Sequence, residues 1–379
     1  MELRFLLVGG GSGGHAFPLA AIARALVERG EAQGHSVRIL MMGAGGRDGF
    51  LARAAQEYGF AHTSIIAGKT DRSAFRLPWE GVKTCIGFIQ ALWRLLWFMP
   101  DAVISKGGYD SFAPSLAARL YFIPLFLHES DTIPGSVQRI LAPFARGVFL
   151  GFSEAQRFFG KVPTLVTGNP VRPDISAGDR ARALATFHVA DGIPTLLVLG
   201  GSQGAQQIND IILSGIAEMT ETANVIHQCG TVNHPVVQTE RERLIRDGAG
   251  SYGDRIAARY AAVPFLDGKD LADAYALADV VVARAGAGTL AELLLLGKPA
   301  VVVPLAWAAH GHQLANATAV AQFGVRIVEG ENITPHILMN QIRALLNPEE
   351  RTRVSALMRT GARPDAAAQV ADAVLKSIL

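Results

Sequence analysis

The chain has 379 residues, half of them hydrophobic, a formal charge of +2 and two cysteines. That length exceeds one ordinary core and supplies apolar residues for two, so two domains are expected. The small net charge, without the interleaved aromatic and basic side chains that single strands require, argues against a nucleic-acid partner, and Cys85 and Cys229 match no metal or redox spacing.

The opening MELRFLLVGGG is broken by glycines before it reaches the length of a signal peptide or a spanning helix, so a reducing cytoplasm is the expected setting. Leu3 to Val8 reads as a strand, Gly9 to His15 as a glycine turn, and Pro18 to about Glu28 as a helix. Further strands are predicted at Ser36–Met41, Ala102–Ser105, Leu125–His128, Val148–Phe152 and Thr164–Thr167, with helices between them. Gly168 to Pro173, with two prolines, reads as the crossing between domains. The second half carries predicted strands at Thr195–Leu199, Asn224–Gln228, Ala261–Val263, Val280–Ala283, Ala300–Val303 and Val325–Val328. An amphipathic helix, Asp365 to Leu379, closes the chain and suits packing on either domain.

The order strand, glycine turn, helix recurs at Pro194 to Leu213, TLLVLGGSQGAQQINDIIL after the proline. Each copy is the first βα unit of a doubly wound sheet. The fold class is therefore α/β, with two Rossmann-like doubly wound domains facing a central cleft and ligands beyond the carboxyl ends of the strands. The boundaries are 1–168 for the N-terminal domain, 174–362 for the C-terminal domain and 363–379 for the closing helix.

The most compact chemical unit runs from Ala276 to Pro304. A β-branched strand, Asp279 to Ala283, leads into the small-residue turn Arg284–Thr289, a helix to Leu296, the cap Gly297 and a second strand from Ala300. Ala287, Gly288 and Thr289 open that helix, where free N–H groups and the positive dipole end suit a diphosphate. Glu292, three residues on, suits the two hydroxyls of a ribose as an acceptor, although first-turn acids also serve the dipole alone.

Gly9, Gly11 and Gly14 satisfy the dinucleotide fingerprint, but His35 to Gly46 holds no acid to bind a ribose, which argues against NAD or FAD, and no glycine turn ends as a P-loop does. His15, beside a helix N-terminus that favours its neutral form, is a candidate general base, with a structural cap as the alternative. Lys106-Gly-Gly-Tyr109 and His128-Glu-Ser-Asp131 each follow a predicted strand, and Glu129 or Asp131 can act as the base or support it. His310 and His312 lack a third ligand with metal spacing, so no metal and no cofactor is expected. Gln313 and Asn316 read as amides for sugar hydroxyls. Phe75 to Met99 holds Trp79, Phe88, Trp93, Trp97 and Phe98 among Arg72, Arg76, Lys83 and Arg94. That pattern suits a helix lying in a headgroup region as well as it suits a buried core helix.

The segments LLVGGGSGGHAFP, KGGYDSFAP, HESDTIPG, TGNPVR, LGGSQGAQQIN, ARAGAGTLAE and HQLANA, in this order from about Leu3 to Ala317, resemble the undecaprenyldiphospho-muramoylpentapeptide N-acetylglucosaminyltransferases of glycosyltransferase family 28. The resemblance implies a GT-B fold and inverting transfer from UDP-N-acetylglucosamine to the C4 hydroxyl of the muramyl unit on an undecaprenyl diphosphate carrier (lipid I). It further implies peripheral attachment at the cytoplasmic face of the membrane through anionic lipids, using Arg72 to Phe98. By position, Ser202 with its neighbour Gln203 and Thr289 would bind the diphosphate, Glu292 the ribose, and Arg172 and the backbone at Leu266 the uracil. His312 and Gln313 would address the sugar; His15, Tyr109 and the turn residues Ser12, Gly13 and Gly14 match the acceptor side. The chain departs from the family at Ser130-Asp131, where an amide in contact with the sugar becomes an acid, at Cys229–Thr231, where a basic residue is common, and at Ala285, where serine is usual.

Overall fold

A parallel strand covered by helices on both faces must be apolar along its length, and in the computed structural model the central strands are buried from end to end. The structure describes all residues except 11–12, 47–48, 69–76, 202–203, 306–310 and 331–332, and of 77–78 the backbone alone. The chain divides into two units, Met1–Arg172 with Arg363–Leu379, and Pro173–Ala362.

The first unit contains β1 (Glu2–Val8), α1 (Gly13–Ala32), β2 (Ser36–Gly43), α2 (Phe50–Glu57), β3 (Ala61–Ser64), α3 (Leu77–Phe98), β4 (Ala102–Ser105), α4 (Tyr109–Leu120), β5 (Leu125–Glu129), α5 (Ser136–Leu141), β6 (Gly147–Leu150) and β7 (Thr164–Val166). Its seven strands are ordered β3-β2-β1-β4-β5-β6-β7, all parallel. The second unit contains α6 (Arg180–Phe187), β8 (Thr195–Leu199), α7 (Gln206–Thr222), β9 (Asn224–Gln228), α8 (His234–Asp247), α9 (Tyr252–Arg259), β10 (Tyr260–Val263), α10 (Gly268–Leu277), β11 (Val280–Ala283), α11 (Ala287–Leu296), β12 (Ala300–Val302), α12 (His312–Ala321), β13 (Arg326–Ile327), α13 (Pro335–Leu346) and α14 (Pro348–Thr360). Its six parallel strands are ordered β10-β9-β8-β11-β12-β13.

The closing helix, α15 (Ala366–Ile378), joins the first unit. Val370, Ala371, Val374 and Leu375 form one buried stripe that shares a core with Leu19, Ile22 and Leu26 of α1. The helical period predicts the stripe; which sheet it covers is a tertiary outcome.

Two sequence expectations change. The helix after the first strand begins at Gly13 rather than Pro18. Pro18 sits within the second turn, where it lacks the single N–H that would reach back to Gly14, so the helix continues through it. The edge strand β3, sequence AHTS, was not expected: it is short and polar, and it forms because β2 offers an unpaired edge.

In both sheets the strand order reverses between the first strand and its later neighbour, β1 beside β4 and β8 beside β11. Ligands of doubly wound sheets bind at such switch points. The register pairs Val8 with Ser105 and Leu199 with Ala283, so two turns emerge side by side at the carboxyl end of each sheet.

Candidate active site

In the first unit the paired segments are the one that opens at Gly9–Gly10 after β1 and Lys106–Gly108 after β4. His15, half-buried in the first turn of α1, places Nδ1 2.8 Å from the Gly10 carbonyl oxygen. A carbonyl accepts and cannot donate, so the neutral ring carries its proton on Nδ1 and leaves a lone pair on Nε2, the form a general base needs. Burial and the Lys106 ammonium hold its pKa below the ordinary histidine value.

Lys106 is buried at the end of β4, and burial pulls its pKa down to about 8. Its Nζ donates to Nδ1 of His128 at 2.8 Å and to Oγ of Ser130. His128 in turn directs Nε2 toward the Gly168 carbonyl at 3.4 Å, consistent with the tautomer that leaves Nδ1 as acceptor. Glu129 is buried, and its two oxygens accept the backbone N–H groups of Asp131 at 2.9 Å and Gly135 at 3.2 Å. Burial and the charge of Asp131 push its pKa up to about 7. Of the two readings of Glu129, this geometry fits support: the carboxylate shapes the loop that carries Asp131. Tyr109 opens α4 behind Gly108, half-buried, with its phenol pKa raised by burial.

Arg172, expected near the uracil, closes the first unit. Its guanidinium carbon lies 3.5 Å from the ring centroid of Phe17, on α1 of the first unit. Phe17 also backs Gly13, so Arg172 adds positive charge beside the glycine turn.

In the second unit the paired segments are the one that opens at Gly200–Gly201 after β8 and Arg284–Gly286 after β11. Gly204 needs a positive φ of 75°, and a Cβ there would lie 2.4 Å from the Cys229 carbonyl, so glycine is obligatory. Gly286 and Gly288 are different: a methyl group on either would meet nothing within 4 Å. The opening of α11 at Ala287, Gly288 and Thr289 therefore faces open space, as an anion site at a helix start requires. Gly297 ends that helix in the left-handed conformation, as its sequence position predicts.

Arg284 was not among the expected site residues. A Cβ on Gly201 would lie 3.3 Å from its Nη1, and its buried Nε has no hydrogen-bond partner among the described residues. A guanidinium with no ion pair among the described residues, beside a glycine turn, is the signal, and the sequence shows only one arginine among small residues.

Amides brace this unit. Gln228 accepts the Leu266 N–H at 3.0 Å and donates to the Gly201 carbonyl at 3.0 Å, so the backbone at Leu266 is tied to the glycine turn and its N–H is already committed. Asn316 donates to the Ala285 carbonyl at 3.4 Å, and Gln313 accepts the Leu305 N–H at 3.0 Å. Both amides, expected to read sugar hydroxyls, are buried and hold turns in place. Glu292 lies on the second turn of α11, buried, and accepts the Tyr275 hydroxyl at 3.1 Å. His312 begins α12. Ser12, Ser202, Gln203 and His310 lie outside the described residues.

Two parallel, doubly wound sheets with paired turns at each switch point define an α/β protein of the GT-B class. Residues 5–150 match the glycosyltransferase family 28 N-terminal domain and residues 195–372 its C-terminal domain. The UDP-N-acetylglucosamine–N-acetylmuramyl-(pentapeptide) pyrophosphoryl-undecaprenol N-acetylglucosamine transferase of Syntrophotalea carbinolica is 36% identical over 94% of this chain and 92% of its own. The protein of that name from Geobacter metallireducens is 33% identical over 99% of both chains. Among solved structures, Acinetobacter baumannii MurG superposes with a TM-score of 0.69 at 26% identity, covering 99% of each chain. A UDP-GlcNAc 2-epimerase from Neisseria meningitidis superposes with a TM-score of 0.70 at 16% identity over 99% of this chain and 100% of its own, a likeness of fold alone. The chain belongs to glycosyltransferase family 28, among its pyrophosphoryl-undecaprenol N-acetylglucosamine transferases.

Proposed function

We propose that the protein transfers the N-acetylglucosaminyl group of UDP-N-acetylglucosamine to the C4 hydroxyl of the muramyl unit of lipid I, with inversion, giving lipid II for peptidoglycan. The observation that carries this reading is the match to transferases of that name along 94% of the chain. The reaction is one in-line displacement: the acceptor oxygen bonds to the anomeric carbon as the bond to the UDP oxygen breaks. The hydroxyl proton passes to Nε2 of His15, and UDP leaves with the bonding pair. Charge developing on the diphosphate meets the opening of α11, Thr289 and the Arg284 guanidinium. Glu292 takes the ribose hydroxyls, and Tyr109, Gly13, Gly14 and Asp131 line the acceptor side. Arg172, stacked on Phe17 beside that glycine turn, is proposed to lend positive charge there. The deciding assay supplies UDP-N-acetylglucosamine and lipid I: formation of lipid II is expected, and release of UDP with no disaccharide would overturn the acceptor assignment.

We further propose that α3 rests in the headgroups of a membrane bearing anionic lipids, on its cytoplasmic face. Phe88, Ala91, Leu92, Leu95 and Phe98 turn one side of the helix to the core. Val82, Ile86, Ile89, Trp93, Leu96 and Trp97 form a second apolar side in solvent, with Trp93 61% and Trp97 71% exposed. An apolar patch of this extent marks a binding surface, and tryptophan suits the interface. Among the described residues no helix is long and apolar enough to cross a membrane. Co-sedimentation with vesicles containing phosphatidylglycerol tests this: replacing Trp93 and Trp97 by Ser is expected to release the protein, and undiminished binding would refute the assignment.

A further inference from the structure

Two buried ionisable side chains at the switch point of the first unit have no part in the transfer as described so far. Asp110, fully buried on α4, accepts the Ala44 N–H through Oδ2 at 3.3 Å. The same oxygen lies 2.6 Å from where a Cβ on Gly10 would stand. Its Oδ1 is buried with no hydrogen-bond partner among the described residues. A Cβ on Gly108 would lie 2.9 Å from that oxygen and 3.3 Å from Nδ1 and Cε1 of His15, so the missing side chain of one glycine separates carboxylate from imidazole. Lys106 lies on another side of the same turn, its Cβ 3.0 Å from the place of a Cβ on Gly9. Among the described residues its hydrogen-bond partners are the neutral His128 and Ser130 and it makes no contact ion pair, while the charges of Glu129 and Asp131 act on it through space.

We propose that Asp110 and Lys106 are positioning residues for the proton transfer at His15, the carboxylate steadying the imidazolium as it forms and the ammonium opposing it, so that their balance sets when the ring is ready to accept a proton. This rests on His15 being the base. The charged groups that act on the ring are Lys106 at the end of β4, Asp110 on α4 and Asp131 after β5, with opposite signs as their charges require. The arrangement differs from a catalytic triad, because Nδ1 is held by the Gly10 carbonyl and the carboxylate acts through space.

The test is the titration of the His15 imidazole by NMR on the full chain labelled at histidine Cε1, assigned by the signal lost in His15→Gln, together with the pH profile of kcat/KM. Asp110→Asn keeps an acceptor for Ala44 and removes the charge. Its His15 midpoint is expected to fall by about one pH unit, and that of Lys106→Met to rise by a similar amount. The acidic limb of kcat/KM is expected to follow each. A midpoint that stays in place or rises in Asp110→Asn overturns the proposal, and this variant decides alone if Lys106→Met does not fold. Midpoints that move as expected while the acidic limb stays put uphold the charge pairing and overturn the base assignment instead.

Discussion

The two units repeat one architecture and fill its switch point with different chemistry. Around the paired turns of the first unit stand His15, Lys106, Asp110, Glu129 and Asp131, all ionisable, with Lys106 pulled down to about 8 and Glu129 pushed up to about 7. Around those of the second stand Gln228, Asn209, Gln313 and Asn316, amides that brace backbone, with one guanidinium and one carboxylate, Arg284 and Glu292, beside the helix opening. Groups whose charge states lie close to neutrality suit proton transfer. Amides, which do not titrate, suit a rigid frame that holds its hydrogen bonds at any pH. One βα scaffold can carry either kind of side chain, and the residues at the reversal of strand order make the difference.

The sharpest way to break this contrast is at the proton. His15→Gln is expected to lower kcat by about two to four orders of magnitude and to remove the acidic limb of the pH profile, with folding unchanged. If activity survives at every pH, the base lies in Glu129 or Asp131. Next come the groups proposed to face the diphosphate. Arg284→Met and Thr289→Ala should each cost about two to three orders in kcat/KM without moving that limb; a displaced limb in either would mean that the second unit shares in proton transfer.

A smaller effect separates frame from chemistry. His227 is buried between Tyr260, at 2.9 Å, and Asn209, at 3.0 Å, and burial holds its pKa at about 3. Unfolded, the ring titrates near 6.5, so between these values the unfolded state binds more protons. Stability from this group is complete above pH ~6.5 and is lost as pH falls toward 3, at roughly 1.4 kcal/mol per unit. Between pH 7 and pH 5, urea unfolding should show a loss of stability on acidification that is smaller in His227→Gln than in the parent chain by about 2 kcal/mol. An equal difference in the variant would place the acid sensitivity elsewhere.

Much of the fold is legible in the amino-acid sequence. Continuous apolar strands, glycine turns and the repeat of the βα unit announce two doubly wound sheets, and the strand Ala102–Ser105 is found at its predicted bounds. The opening of α11 and its Gly297 cap follow from local rules. What was not legible depends on partners distant in sequence. Glu129 is legible as an acid after a strand, but not that its oxygens hold two backbone N–H groups; Gln313 and Asn316 are legible as amides near a helix start, but not that they are buried against turns. Arg284 gains meaning only beside Gly201, which enters the sheet through another strand.

Sequence by itself determined the class of the chain, its two repeats and the glycine cap that ends α11, because propensity, periodicity and left-handed backbone are properties of short segments. Tertiary structure alone decided that α15 packs on α1, that Asp110 stands across Gly108 from His15, and which oxygens and nitrogens are spent within the protein. These are contacts between segments many residues apart, and the charge state and hydrogen bonding of a buried group are set by neighbours in space.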